Sequence, residues 1–224
     1  GWDLTGYDFS NKVIVDTNLS NAVLTNANLT GADLTGVDFS GTILTGADLT
    51  GADLTDTILT GADLTDTILT GVDLAGVDLA GTILTGVDLS DKDLSGTILT
   101  GSDLTDTILT GVDLSGKDLS GTILRGSHIT DTILTGANLA GMDLTGTILT
   151  NANLTGADIS GAKLVGVDLS GVDLIGTILF GANLENANLT NANLTGANLT
   201  NANLRGAYLL GAILNCVGHP ICVD

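Results

Sequence analysis

Five aspartates recur at twenty-residue intervals: Asp33, Asp53, Asp73, Asp93 and Asp113. Where residues twenty apart are spatial neighbours, such carboxylates form a ladder whose members resist joint ionisation. Their pKa values then rise, or they recruit cations. Calcium needs about 6–8 oxygens around one point, and a straight column supplies too few, so no metal site is assigned. Cys216 and Cys222, with Gly218 and Pro220 between them, can close a small disulfide loop. Free thiols and a Cys216/His219/Cys222 metal set are the alternatives. A disulfide favours an oxidising compartment: periplasm, lumen or the cell exterior. The only histidines, His128 and His219, stand beside no recognisable Ser or Cys nucleophile. No catalytic residue and no cofactor are assigned, and no loop insertion shelters a cleft. The expected protein is not an enzyme.

A period of five sets these residues in space. Positions 4, 9, 14 and onward to 214 hold Leu, Ile or Phe without a break, giving 43 units in one phase. The unit reads (Gly/Asn/Asp)-(Ala/Val/Thr)-(Asp/Asn/Ile)-Leu-(Thr/Ser). Five matches neither the helical period of about 3.6 nor the strand period of about 2. A chain turning a corner every five residues fits. The second and fourth places face inward, the third faces outward, and the first supplies turn chemistry. Lys12, Lys92 and Lys117 stand in the inward second place. Their stems are expected along the wall, with the ammonium groups reaching out at a corner. Trp2 and Tyr7, also in inward places, are expected to plug the N-terminal end.

Composition agrees with a thin, repetitive core. Aromatics make up 3% and hydrophobic residues 43%, with 31 Gly and one Pro. The net charge of −20 argues against direct binding to nucleic acid or anionic lipid and permits a basic partner. No apolar run approaches the ~18 residues of a membrane span.

The triplets "ADL" at 47–49, 52–54 and 62–64, and "ANL" at 27–29, 152–154 and 192–194, carry a family signature. The sequence resembles the pentapeptide-repeat proteins, whose unit is A-(D/N)-L-x-x, over residues 1–215. That resemblance implies an all-β fold, a right-handed quadrilateral parallel β-helix with four units per coil and about 11 coils of 20 residues. Residues 216–224 are expected to form a C-terminal tail that caps an open β edge.

At four units per coil the third place forms four columns. One alternates Ile43, Asp63, Ile83, Asp103, Ile123 and Asp143. A second runs Asp48, Ile68, Asp88, Ile108, His128 and Ile148. A third runs Asp38, Ile58, Asp78, Ile98 and Asp118. An intervening Ile moves like charges from ~5 Å to roughly 10 Å apart, near the Debye length. The fourth column, Asp33 to Asp113, has no spacer. Thr lies inward of nearly every such Ile, a pairing the sequence alone does not explain. From Asn183 onward Asn replaces Asp in the third place, predicting amide ladders and a nearly neutral end.

The expected function is a non-enzymatic structural or protein-interaction scaffold. Its Ile columns (Ile43, Ile83, Ile123; Ile58, Ile98; Ile68, Ile108, Ile148) offer a surface to a protein partner or a second copy. The family resemblance implies an alternative, a DNA mimic that binds a type II topoisomerase such as gyrase. Those relatives typically dimerise through a C-terminal helix, which this sequence does not carry. A filament built by end-to-end stacking is a third possibility, opposed by the Cys-bearing tail.

Overall fold

A computed structural model describes residues 1–222 of the chain. Its local geometry follows from the first place of each unit. Residues there adopt positive φ, as at Asn26 (56°), Gly46 (67°) and Asp66 (54°). Gly, Asn and Asp tolerate that region best. At Gly96 the approach is close, since an added Cβ would lie 3.3 Å from the Gly76 Cα. Nearly every corner is closed by one backbone bond, such as the Ala27 N–H donating to the Leu24 carbonyl at 2.9 Å.

Between corners the third place pairs with the residue twenty positions on. The Ile43 N–H donates to Ala22 O at 2.9 Å, and the Leu24 N–H donates to Ile43 O at 2.7 Å, making the parallel bridge Val23↔Ile43. The pairing is therefore that of a solenoid with a 20-residue coil, within residues 1–108 and again within 109–222. Its rungs are single bridges; no extended strand occurs among the described residues. A five-residue unit spends the rest of its length on the turn.

The chain divides into two compact units, Gly1–Ile108 and Leu109–Asp224. In each, fourth-place Leu and second-place Ala, Val or Thr fill the interior: Leu44, Ala47 and Leu84 in the first unit, Leu144, Ala187 and Leu194 in the second. Burying one Leu contributes about 2 kcal/mol, realised only against neighbouring coils. Charge is unequally shared. The first unit holds 17 Asp against two Lys, a net −15, and the second a net −5.

The ends depart from the sequence expectation. Trp2 and Tyr7 do not plug the interior, being 66% and 57% exposed. An indole or phenol overfills a seat shaped for alanine, and Tyr7 instead stacks on Phe9 with ring centroids 5.9 Å apart. At the other end the ladder continues to Val217, which bridges Asn198. Cys216 and Cys222 are joined by a disulfide, S–S 2.10 Å, closing the turn that follows.

Candidate functional site

The outward columns are the surface on which this chain can act. In the first unit Ile and Asp alternate rung by rung: Ile43↔Asp63↔Ile83↔Asp103, Asp38↔Ile58↔Asp78↔Ile98, Asp48↔Ile68 and Asp88↔Ile108. Ile58, Ile68 and Ile98 are nearly half exposed, Ile43 and Ile83 slightly less, and Ile108 is half-buried. In the second unit Ile148 bridges His128, Ile123 is exposed, and Asp113 bridges Ile133. Ile133 and Ile178 belong with the exposed set. The same "TIL" triplets that marked the others would have found them.

Each face carries a polar side-chain bond, and its side of the wall depends on the third place. Where Asp stands there, its Oδ1 accepts from the N–H two residues on, at 2.9 Å for Asp48 and Thr50, and commonly from that residue's hydroxyl as well. These donors hold Asp38, Asp48 and Asp53 below the ordinary carboxylate value; the hydroxyls of Ser40, Thr50 and Thr55 contribute most. Asp53 belongs to the uninterrupted column, so the raised value expected there gives way to local donors. Where Ile stands there, the inward Thr supplies the bond. Thr42 Oγ1 donates to Leu19 O at 2.9 Å, and Thr67 Oγ1 to Leu44 O at 3.1 Å. Thr57 and Thr82 reach the Leu three residues back instead. This explains the Thr–Ile pairing, and among the described residues no buried side-chain N or O lacks a partner.

The spacer-free column is incompletely bridged, as are Ile68/Asp88 and Asp103/Ile123 in the alternating columns among the described residues. Asp33 and Asp53 are bridged, but among the described residues no bridge joins Asp53 to Asp73 or Asp73 to Asp93. Like charges alone do not account for this, since Asp33 and Asp53 pair; at the Asp73–Asp93 rung Lys92 supplies a cause. Its ammonium does not reach out at a corner as expected. It donates to Leu69 O at 2.7 Å and to Val72 O at 2.9 Å. Burial pushes Lys92 below the ordinary lysine value, against the pull of Asp73 and Asp88.

A groove of about 660 Å³ lies over the open rung, lined by Gly51–Thr57 with Gly71, Asp73 and residues 75–77. Among the described residues no group of three His, Cys, Asp or Glu could hold a metal ion. Cys216 and Cys222 are consumed by their disulfide. His219 accepts from the Ile221 N–H at 3.3 Å, and His128 is an exposed column residue. The expected amide ladder forms at Asn203, which donates to Asn183 at 3.0 Å. No helix is long and apolar enough to cross a membrane among the described residues.

The sequence profile described as "Pentapeptide repeats" matches eight stretches: 3–41, 14–51, 47–86, 88–126, 118–151, 132–171, 152–191 and 177–215. No curated protein matches the chain. Among solved structures the chain is similar to HetL, a pentapeptide-repeat protein involved in heterocyst differentiation regulation in the cyanobacterium Nostoc sp. strain PCC 7120. Identity is 31%, coverage is 100% of this chain and 93% of HetL, and the TM-score is 0.64. Rfr23, a pentapeptide-repeat protein from the cyanobacterium Cyanothece 51142, is 27% identical over 65% of this chain and 90% of its own, TM-score 0.27. QnrB1, a plasmid-mediated fluoroquinolone resistance protein, is 21% identical over 92% of each chain, TM-score 0.34.

Proposed function

The chain belongs to the pentapeptide-repeat family, and on that premise we propose that it is a non-enzymatic protein-interaction scaffold. Its working surface is the alternating Ile/Asp columns. The five-residue register fits right-handed, four-sided coils, about 11 over the whole repeat. In this reading residues 1–215 are the repeat and the disulfide-closed turn after it is the cap, with the ladder itself reaching Val217. The disulfide favours an oxidising compartment.

The observation that carries this reading is the register of the first unit. Exposed Ile58 and Ile98 stand on either side of Asp78 along one column, as Ile43 and Ile83 stand on either side of Asp63. A partner matching that face presents apolar side chains opposite the Ile residues and cations opposite the Asp residues. A second copy matches less well, because a register that sets Ile on Ile also sets Asp on Asp. Triple replacement Ile83→Lys, Ile98→Lys and Ile108→Lys tests the proposal. Protein retained on the immobilised chain should be lost, and unchanged retention refutes it.

One observation favours the DNA-mimic alternative. The first unit carries a net −15 over 108 residues. At 20 residues and ~4.8 Å per coil this is roughly one charge per 1.7 Å of axis, the linear density of duplex DNA. Inhibition of gyrase supercoiling by the purified chain supports that alternative, and no effect removes it.

A further inference from the structure

We propose that the face of the second unit centred on Ile178 binds a second copy of this chain, the two lying antiparallel. The site is separate from the Ile columns of the first unit and does not depend on them.

The first support is a local break in the repeat. The fifth place holds Thr, Ser or Ala in most units, but residues 161–180 put Val165, Ile175 and Phe180 there. Ile175 and Phe180 stand at the two corners of the face whose third place is Ile178. The three are 36%, 48% and 40% exposed for Ile175, Phe180 and Ile178, so an aromatic and two aliphatic side chains share one patch. The ladder beneath them is closed at every rung, Asn138↔Asp158↔Ile178↔Asn198↔Val217, which makes the surface regular. Exposed Val217 extends the apolar area at its upper end. A central aromatic and aliphatic cluster with an uncharged polar surround is the anatomy of a contact surface.

The second support is complementarity, and it selects both the occupant and its direction. From Asn138 to Val217, Asp158 is the one ionisable side chain in that column or at its two corners. A two-fold axis crossing the face at Ile178 sets Ile178, Ile175 and Phe180 on their own copies. It also sets the coil above opposite the coil below, so Asn198 of one copy meets Asp158 of the other. Asn198 Oδ1 accepts from the Thr200 N–H at 3.1 Å and its hydroxyl at 2.7 Å. Its Nδ2 donates to nothing among the described residues, because its column neighbours are Ile178 and Val217. In other columns Asn188 and Asn203 spend that amide on the residue twenty positions back. Asp158 Oδ1 accepts from the Ser160 N–H at 3.0 Å, and its second oxygen accepts no bond from the chain. A free donor thus meets a free acceptor, twice across the axis. A parallel copy would set Asp158 on Asp158, and in the first unit an antiparallel copy centred on Ile58 would set Asp38 on Asp78. Four rungs span roughly 19 Å, a small interface, so the dimer exchanges with monomer at micromolar concentrations.

Sedimentation equilibrium of the full chain at near-physiological salt tests this, over about 5–500 µM. A monomer–dimer equilibrium is expected. Ile175→Thr/Ile178→Asn/Phe180→Thr should weaken it about tenfold or more. Thr195, Asn198 and Thr200 fill the same places one coil on, so these replacements suit the fold, and an unchanged circular dichroism spectrum verifies it. Asn198→Asp sets carboxylate on carboxylate across the axis and should weaken the dimer about tenfold. Adding Asp158→Asn to that variant restores an amide–carboxylate pair and should return association to within about twofold of the wild type. A parallel dimer would show no such rescue. A chain that stays monomeric over the whole range overturns the proposal. So does a triple variant or an Asn198→Asp variant that associates like the wild type, or a double variant that is not rescued. The Ile83→Lys/Ile98→Lys/Ile108→Lys variant should dimerise normally, which separates this test from that of the Ile columns, and loss of the dimer there also overturns the proposal.

Discussion

The ammonium of Lys92 donates to the carbonyl oxygen of Val72 at 2.9 Å. In closed rungs the corresponding atom accepts a third-place N–H, as Ala32 O accepts from Asp53. Lys92 also donates to Leu69 O, the position that an inward Thr serves elsewhere, as Thr97 serves Leu74. One substitution in the inward place thus keeps the internal bond and captures a rung acceptor.

Lys92→Thr should therefore close this region and raise the melting temperature. Burial lowers the Lys92 pKa from its ordinary 10.5. A lysine whose folded value is depressed penalises the fold while charged, and the penalty fades as pH rises from the folded value toward 10.5. The advantage of Lys92→Thr over the wild type should narrow across that interval. Denaturant titrations at several alkaline pH values check the sign, and a widening gap contradicts it.

Asp73→Asn keeps the cap on the Ala75 N–H and removes one charge from the stack. The amides of Leu54 and residue 73 should exchange about tenfold more slowly, or slower still, as the rung to Asp53 closes. Hydrogen exchange followed by NMR reads this directly.

Ile98→Asp makes the converse change, setting a carboxylate beside Asp78 in a rung that is now closed. Stability should fall by about 0.5–1 kcal/mol, and added salt should restore part of it. Urea midpoints at two salt concentrations decide the matter.

Asp38, Asp48 and Asp53 titrate below 3.8 because their serine and threonine partners donate to the charged form. Their contribution to stability is complete above that value and is lost as pH falls through the depressed folded value. Ser40→Ala should return Asp38 toward 3.8, visible in its side-chain carboxyl NMR titration.

Thr42→Val tests the inner bond. The hydroxyl donates to Leu19 O, which also accepts from the Ala22 N–H at 3.0 Å. The carbonyl is therefore not orphaned, and the loss should be about 0.5–1 kcal/mol, measured by urea unfolding.

Much of this was legible in the sequence. Leu at every fifth position fixed the inward face, and Gly, Asn or Asp at the first place marked each left-handed corner. The Ile/Asp alternation could be read as columns once the coil length was known. Thr42 and Lys92 were not legible in the same way, because their roles depend on which backbone carbonyl each side chain reaches across a coil boundary. The open rung above Asp73 has a lysine on its acceptor, Val72 O, a contact that only the structure shows. Trp2 misled for a related reason: its place in the unit is inward, but its size is wrong for the seat.

The central claim is that the Ile columns of the first unit are a working surface and do more than space charges. Solution mass by sedimentation tests it, comparing the wild type with Ile83→Lys/Ile98→Lys/Ile108→Lys, each mixed with the protein captured on the immobilised wild type. The wild type should sediment as a complex that dissociates as salt rises. The variant should sediment as the free chain with an unchanged circular dichroism spectrum. A variant that forms the same complex would contradict the claim and leave the Ile residues as charge spacers.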